Sequence, residues 1–281
     1  MAGKNLTGAP STSDYNLGRG ALYFANLVSS LPSRYRHLGN SPEFNISVEV
    51  ETLEHQSSLT GLKVTDKEVI ISQKVSVSVT LDEINDENLA VFFSGEVATF
   101  GNDVALAGFS EHVMIAAAEV EQGRWYDIVD SSGVRVYDID EGNLTVESPD
   151  TTAQTLNTDY TVDEEFGRIF IVVGGGIATG ADDVLVTLAA DAGTKEVDEV
   201  RALTQTNVTG ALKFIGENPA NNDESVEYQF HQISLKAEGD FAQISDEFTT
   251  MQFTGTAESN TTADADSPTL TIRSVNETTA T

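Results

Sequence analysis

The sequence predicts a mainly β fold: a β domain with one short helix, interrupted by a small inserted β-sandwich module. Three observations carry this. Phe44, Ile46, Val48 and Val50 alternate with Glu43, Asn45, Ser47, Glu49 and Glu51, and Val75, Val77, Val79 and Leu81 alternate with Lys74, Ser76, Ser78 and Thr80. A period of two marks a strand with one dry and one wet face. Between residues 119 and 196, short β-like segments are separated by turn signals such as Asp130-Ser-Ser-Gly133, Glu141-Gly142-Asn143 and Gly174-Gly175-Gly176, the spacing of a small sandwich or barrel. Finally, 40% of the 281 residues are apolar, enough to bury a core at this length.

Taken in order, residues 1–40 form an N-terminal arm, in which Gly20 to Leu31 is a short apolar segment with Leu22 and Phe24 able to face a core. Residues 41–118 and 197–281 form the main β domain around the insert 119–196. Within it, Leu53 to Glu68 is polar around Gly61 and is expected to be a long loop between two strands. After the second strand, Ile84, Leu89, Val91 and Phe92 lose the alternation while acidic residues crowd the front. This predicts a short helix, N-capped by Thr80 or Asp82 and stopped at Gly95. In the insert, strands are expected at 124–129, 133–139, 144–147, 159–163, 168–173 and 184–188. The chain then resumes with strands at 210–215 and 226–237, the latter with a register shift. Strands at 248–256, with Met251 and Phe253 dry, and around Leu270 and Ile272 complete it.

Composition excludes several classes. The chain has no cysteine, so neither disulfides nor thiolate metal sites are possible. No apolar run reaches the roughly 18 residues of a membrane helix, and the opening MAGKNLTGAPSTSD holds no secretory segment, so synthesis in a cytoplasm is expected. The net charge of -30 repels nucleic acid rather than binding it. Residues 1–40 run against that trend, with Lys4, Arg19, Arg34 and Arg36 against Asp14 alone. The asymmetry serves either solubility or docking of a basic arm on an acidic neighbouring subunit. Arg34-Tyr35-Arg36-His37 is a basic-aromatic cluster of the kind that stacks on bases, but in so acidic a chain a protein contact is the better expectation.

The chemistry-bearing patterns are mostly missing. There is no phosphate loop or dinucleotide fingerprint, and Gly174-Gly175-Gly176 reads as a turn. His37, His55, His112 and His231 are scattered, and no nucleophile elbow supports a triad. Asp138, Asp140 and Glu141 before Gly142 faintly resemble a calcium loop, yet Gly142 falls where a third ligand belongs. No enzyme activity, cofactor or metal is expected. Trp125 is expected in the core of the insert, with a partner anchor as the alternative.

Arg19-Gly-Ala-Leu-Tyr-Phe24, the stretch HLGNSPEFNISVEVETLEHQSSLTGLKV (37–64), LDEINDENLAVFFSG (81–95) and the closing ALKFIGENPANN…VEYQFHQISLKAEGDFAQISDEFTTMQFTGTA together resemble the major tail tube proteins of long-tailed, siphovirus-type bacteriophages. DYTVDEEFGRIFIVVGGGI (159–177) resembles a module that some members carry. The resemblance implies a tail-tube β-barrel or sandwich that assembles into hexameric rings, stacked into a hollow tube in the virion tail. DNA passes through without sequence-specific binding, other tail proteins cap the tube ends, and nothing inserts in a membrane. It also implies inter-subunit contacts from the arm, here Arg19, Arg34, Tyr35 and Arg36. The long loop would supply others, here Glu54, His55, Leu59, Leu62 and Lys63. The rival class is a surface or adhesion sandwich that binds carbohydrate or a receptor.

Overall fold

Strand β1 (Arg19–Val28) begins the first of two units into which the chain divides in the computed structural model. Residues 18–58, 61–100, 108–150, 152–190, 197–219 and 224–275 are described; residues 1–17 of the expected arm and Leu59 of the expected loop lie outside them. Unit 1 comprises the chain up to Val97 and from Val200 onward, and unit 2 is Ala98–Glu199. From β1 the chain runs through β2 (Leu31–Pro32), β3 (Arg36–His37), β4 (Glu43–Ser57), β5 (Val64–Leu81), α1 (Asp86–Phe92) and β6 (Glu96–Phe100). It continues through β7 (Phe109–Ile115), β8 (Trp125–Asp127), β9 (Leu144–Glu147), β10 (Tyr160–Asp163), β11 (Arg168–Ile171) and β12 (Val184–Leu188). It returns through β13 (Val197–Arg201), β14 (Val208–Asn218), β15 (Glu224–Glu238), β16 (Met251–Ala257) and β17 (Leu270–Val275). Strands hold 52% of the described residues and helices 6%, so the class is mainly β.

Unit 1 is one sheet in the order β2-β1-β14-β15-β16-β5-β4, with β3 also on β1 and β17 also on β15. The long strand β15 changes partner along its length. Ser225–Phe230 pair β17, whereas Ile233–Glu238 pair β16. The change coincides with a bulge, since Phe230 pairs Leu212 while Ile233 pairs Gly210; an extra residue bends a strand and increases its twist. This is the register shift expected from sequence. Leu22, Phe24, Val77, Val79, Leu212, Phe230, Ile233, Met251 and Phe253 form the buried core.

The strand expected around Leu22 and Phe24 is present and makes residues 19–40 part of unit 1: β1 pairs β14 from Arg19 to Asn26, and Leu22, Phe24, Ala25 and Leu38 are buried. Two expectations in this unit are corrected. Leu53 to Glu68 is not a loop: β4 extends to Ser57 and β5 starts at Val64, in register through Leu53↔Val69, Glu54↔Glu68 and His55↔Lys67. Both faces of this ribbon are exposed, so its strands carry no apolar alternation to read. The helix begins later than expected, because Leu81 is still in β5; Asn85 is the N-cap, its side chain accepting from the Asn88 N–H at 2.8 Å. At the other end the left-handed residue is Ser94. Gly95 is needed for space, since a Cβ there would meet the Arg201 carbonyl at 2.2 Å.

Unit 2 holds two three-stranded sheets, β10-β11-β8 and β7-β12-β9, around Ile115, Ile128, Val146, Ile169, Ile171, Val184, Val186 and Leu188. The unit runs from Ala98 to Glu199 rather than 119 to 196, because β7 pairs β12, a non-local pairing that leaves no mark in the local pattern. The strand expected at 133–139 is reduced to a bridge between Val129 and Arg135, although Val136 and Ile139 are buried. Gly167 has φ +55, and a Cβ there would lie 1.8 Å from the Val136 carbonyl. Only glycine fits such a close approach.

Candidate assembly surfaces

Arg36 and Tyr35 are held by their own chain. The Arg36 guanidinium donates to Asn88 Oδ1 at 2.6 Å and pairs with Glu87 at 3.5 Å; burial lowers its pKa and Glu87 opposes that. Asn88 is wholly buried in α1 and donates to the carbonyls of Leu38 and Glu83, so it ties the helix to the segment after β3. The Tyr35 ring lies under Lys213 at 4.8 Å, and Gln229 approaches its hydroxyl at 3.5 Å. Burial is the first cause of a raised Tyr35 pKa, with the Gln229 bond working against it and Glu227 with it. Lys213 and Arg273 both pair with Glu227, and together they hold its carboxyl below the ordinary value against the opposing effect of burial. Arg34 and Arg19 are exposed. The four arm positions therefore divide into two that bind within the fold and two that face outward.

The β4–β5 hairpin presents the larger surface. From Ser47 to Gln56 and from Val64 to Lys74 every residue is exposed. The partner strand β16 reaches β5 only at Ser76–Leu81, so beyond that point, among the described residues, the ribbon has two strands and two unpaired edges. At 3.3 to 3.4 Å per residue it extends about 30 Å past the core. A two-stranded ribbon is at best marginally stable by itself. Its charged pairs, Glu49–Lys74 at 3.9 Å and His55–Asp66 at 2.5 Å, are exposed and contribute little. Glu54 sits beside Thr65 at 3.2 Å, while Leu62 and Lys63 are exposed at the tip. The dry stripe read from sequence continues here without cover: Phe44 and Ile46 pack on the core, but Val48 and Val50 are 64% and 49% exposed. Leu53, of opposite parity and so on the other face, is 63% exposed. Ile70 and Ile71 are exposed as well.

In unit 2, Trp125 is not a core residue. It lies on the outer face of the β10-β11-β8 sheet, 48% exposed. Its ring is 5.3 Å from Phe170, and Arg168 lies 4.7 Å over it while pairing with Asp163 at 2.7 Å. The period of two puts Trp125 and Phe170 outward and Tyr126, Ile169 and Ile171 inward; the single residue type gave no hint of which. An acidic concavity of about 1010 Å³ in the same unit is lined by Asp138, Glu164, Glu165, Phe166 and Tyr137 among others. The Asp140 carboxylate is engaged in capping, accepting from the Gly142 N–H at 2.9 Å. Among the described residues no group of three or more His, Asp or Glu side chains is placed to hold a metal ion, and no helix is long and apolar enough to cross a membrane.

Two exposed side chains went unread in the sequence. Ile244 and Phe248 lie in the segment between β15 and β16, 98% and 97% exposed. Phe248 was expected inside a strand, but β16 starts at Met251. Its neighbours Asp246 and Glu247 were the available sign that this stretch faces water.

None of the curated proteins matches the chain. The family described as "Protein of unknown function UCP028589" matches residues 15–269, a span that takes in all of unit 2 and nearly all of the described part of unit 1, and the chain belongs to that family.

Proposed function

We propose that the protein is a structural subunit of a phage tail tube, which joins copies of itself into stacked, hexameric rings around a DNA-conducting bore. One observation carries this: the apolar stripe of the β4–β5 hairpin runs on past its own core, leaving Val48 and Val50 uncovered on a ribbon whose two edges are free among the described residues. Exposed edges and uncovered apolar stripes recruit further chain. Strand addition from a neighbour would satisfy both at once. The resemblance of residues 37–64 and 81–95 to tail tube proteins supplies the identity of the assembly. Head-to-tail contacts that close make rings, and those that do not close make filaments. The net charge of -30 suits a bore that repels phosphates, so that DNA slides without adhering. Negative-stain microscopy of the purified protein tests the proposal: rings or tubes are expected, and isolated small particles at every concentration and salt level would remove it.

A second reading is favoured by Trp125, whose open ring beside Phe170, Arg168 and Asp163 has the make-up of a sugar-stacking platform. On that reading the chain is a surface module that binds carbohydrate or a receptor. Glycan binding that is lost in Trp125→Ala, by particles that never form rings, would favour it.

A further inference from the structure

We infer that the loop between β15 and β16 is a plug, and that it seats in the groove between the starts of β1 and β4 on a second copy of this chain. The inference rests on the assembly proposal but names surfaces other than the hairpin. The plug is a formed feature. Thr249 Oγ1 donates to the Ala242 carbonyl at 2.8 Å, closing the loop, and Phe241 anchors its base 5.5 Å from the Phe92 ring. Its outer part carries Ile244 and Phe248 almost fully exposed, with Asp246 and Glu247 between them. Two large apolar side chains held out on a closed loop mark a contact surface.

The groove offers the complement. It has a volume of about 360 Å³ and is walled by Phe44, Ile46, Phe214 and Tyr228, with Arg19 at its rim. Phe44 and Phe214 lie 5.2 Å apart, and Phe214 and Tyr228 6.0 Å. Cavities of roughly 300–1,000 Å³ are of ligand-binding size, and an aromatic wall favours another ring at its edge. Arg19 is exposed and has no ion pair among the described residues, even though Glu217 stands opposite it in the ladder. Copies carrying -30 each repel, so a contact must match charge locally; Arg19 meeting Asp246 and Glu247 does so.

The occupant is a second copy and not the chain's own plug, because Ile244 and Phe248 stay 98% and 97% exposed in the single chain and so do not fill its own groove. Plug and groove are different surfaces, and a contact between unlike surfaces propagates into rings or filaments.

The cysteine-free sequence allows a direct test. Asn45→Cys on the groove and Glu247→Cys on the plug are introduced together and treated with a short bis-maleimide. The double variant is expected to give a ladder of oligomers on a denaturing gel, and an equimolar mixture of the two single variants only a dimer. Independently, Arg19→Glu is expected to weaken association at least tenfold by sedimentation velocity, with Asp246→Lys and Glu247→Lys added to it restoring association. If wild type stays monomeric throughout, the assembly proposal fails and this inference with it. If wild type assembles, but the ladder is absent and Arg19→Glu associates normally, the plug alone is overturned.

Discussion

Replacing Val48 and Val50 together by threonine separates a surface that serves assembly from one that serves folding. These side chains share one face and are 64% and 49% exposed in the single chain. Fully burying a Val side chain is worth roughly 1.5–3 kcal/mol, so a neighbour that covers the remaining half gains about 1 kcal/mol from each. Losing two such contacts weakens association by about 2 kcal/mol, or about thirtyfold in Kd. Threonine keeps the β-branch and strand preference, and exposed substitutions usually change stability by no more than about 0.5 kcal/mol each. Sedimentation velocity over a concentration series should therefore show the association midpoint shifted about thirtyfold, while urea unfolding of the dissociated chain is nearly unchanged. A large loss of monomer stability with an unaltered midpoint would refute the reasoning, because the two residues would then be packing within their own chain.

Asn88→Ala leaves the carbonyls of Leu38 and Glu83 and the Arg36 guanidinium without their buried partner; a loss of about 3 kcal/mol in urea unfolding is expected, and a loss below about 1 kcal/mol would mean that the helix clamp is dispensable. Gly167→Ala drives a Cβ into the Val136 carbonyl and should cost about 3 kcal/mol or more. Gly133→Ala, also at positive φ but with nothing within 4 Å, should cost about 1 kcal/mol; equal losses in thermal unfolding would show that strain at φ, not the close approach, decides the pair. Burial holds His231 below its ordinary pKa of 6.5, against the pull of Asp264 and with the help of Arg273. The unfolded chain therefore takes up this proton first, and stability should fall as pH drops below 6.5 until the folded imidazole itself protonates. His231→Gln should flatten that slope, whereas the depressed carboxyls of Asp264 and Glu227 act only at lower pH; an unchanged slope between pH 6.5 and 5 would exclude His231 as its source.

The sequence was most legible where one face of a strand is covered by the same chain. Leu22, Phe24, Met251 and Phe253 were expected to be dry and are buried, and the register shift in β15 was visible because the apolar positions change parity at the bulge. Legibility failed where cover must come from elsewhere or where pairing is distant. Val48 and Val50 carry the same alternation as Phe44 and Ile46, so periodicity could not say that the core ends between them. Glu54 and His55 looked like loop residues because a ribbon wet on both faces has no dry period. Trp125 is one residue type on a strand of three, too short for its parity to be read. Of the proposed contact residues, Arg36 and Tyr35 were singled out by charge and aromaticity, but the partners that hold them, Asn88 and Lys213, come from distant sequence. The plug residues Ile244 and Phe248 were legible only as apolar residues among acids.

Strands β6 and β13 lie side by side at the two places where the chain passes between unit 1 and unit 2. Neighbouring strands are about 4.8 Å apart, so exit and return form a doorway that a tight reverse turn would also close. Closing that doorway with a turn would remove unit 2 and leave the host sheet's ladder unbroken, so the sheet of unit 1 does not depend on what hangs from it.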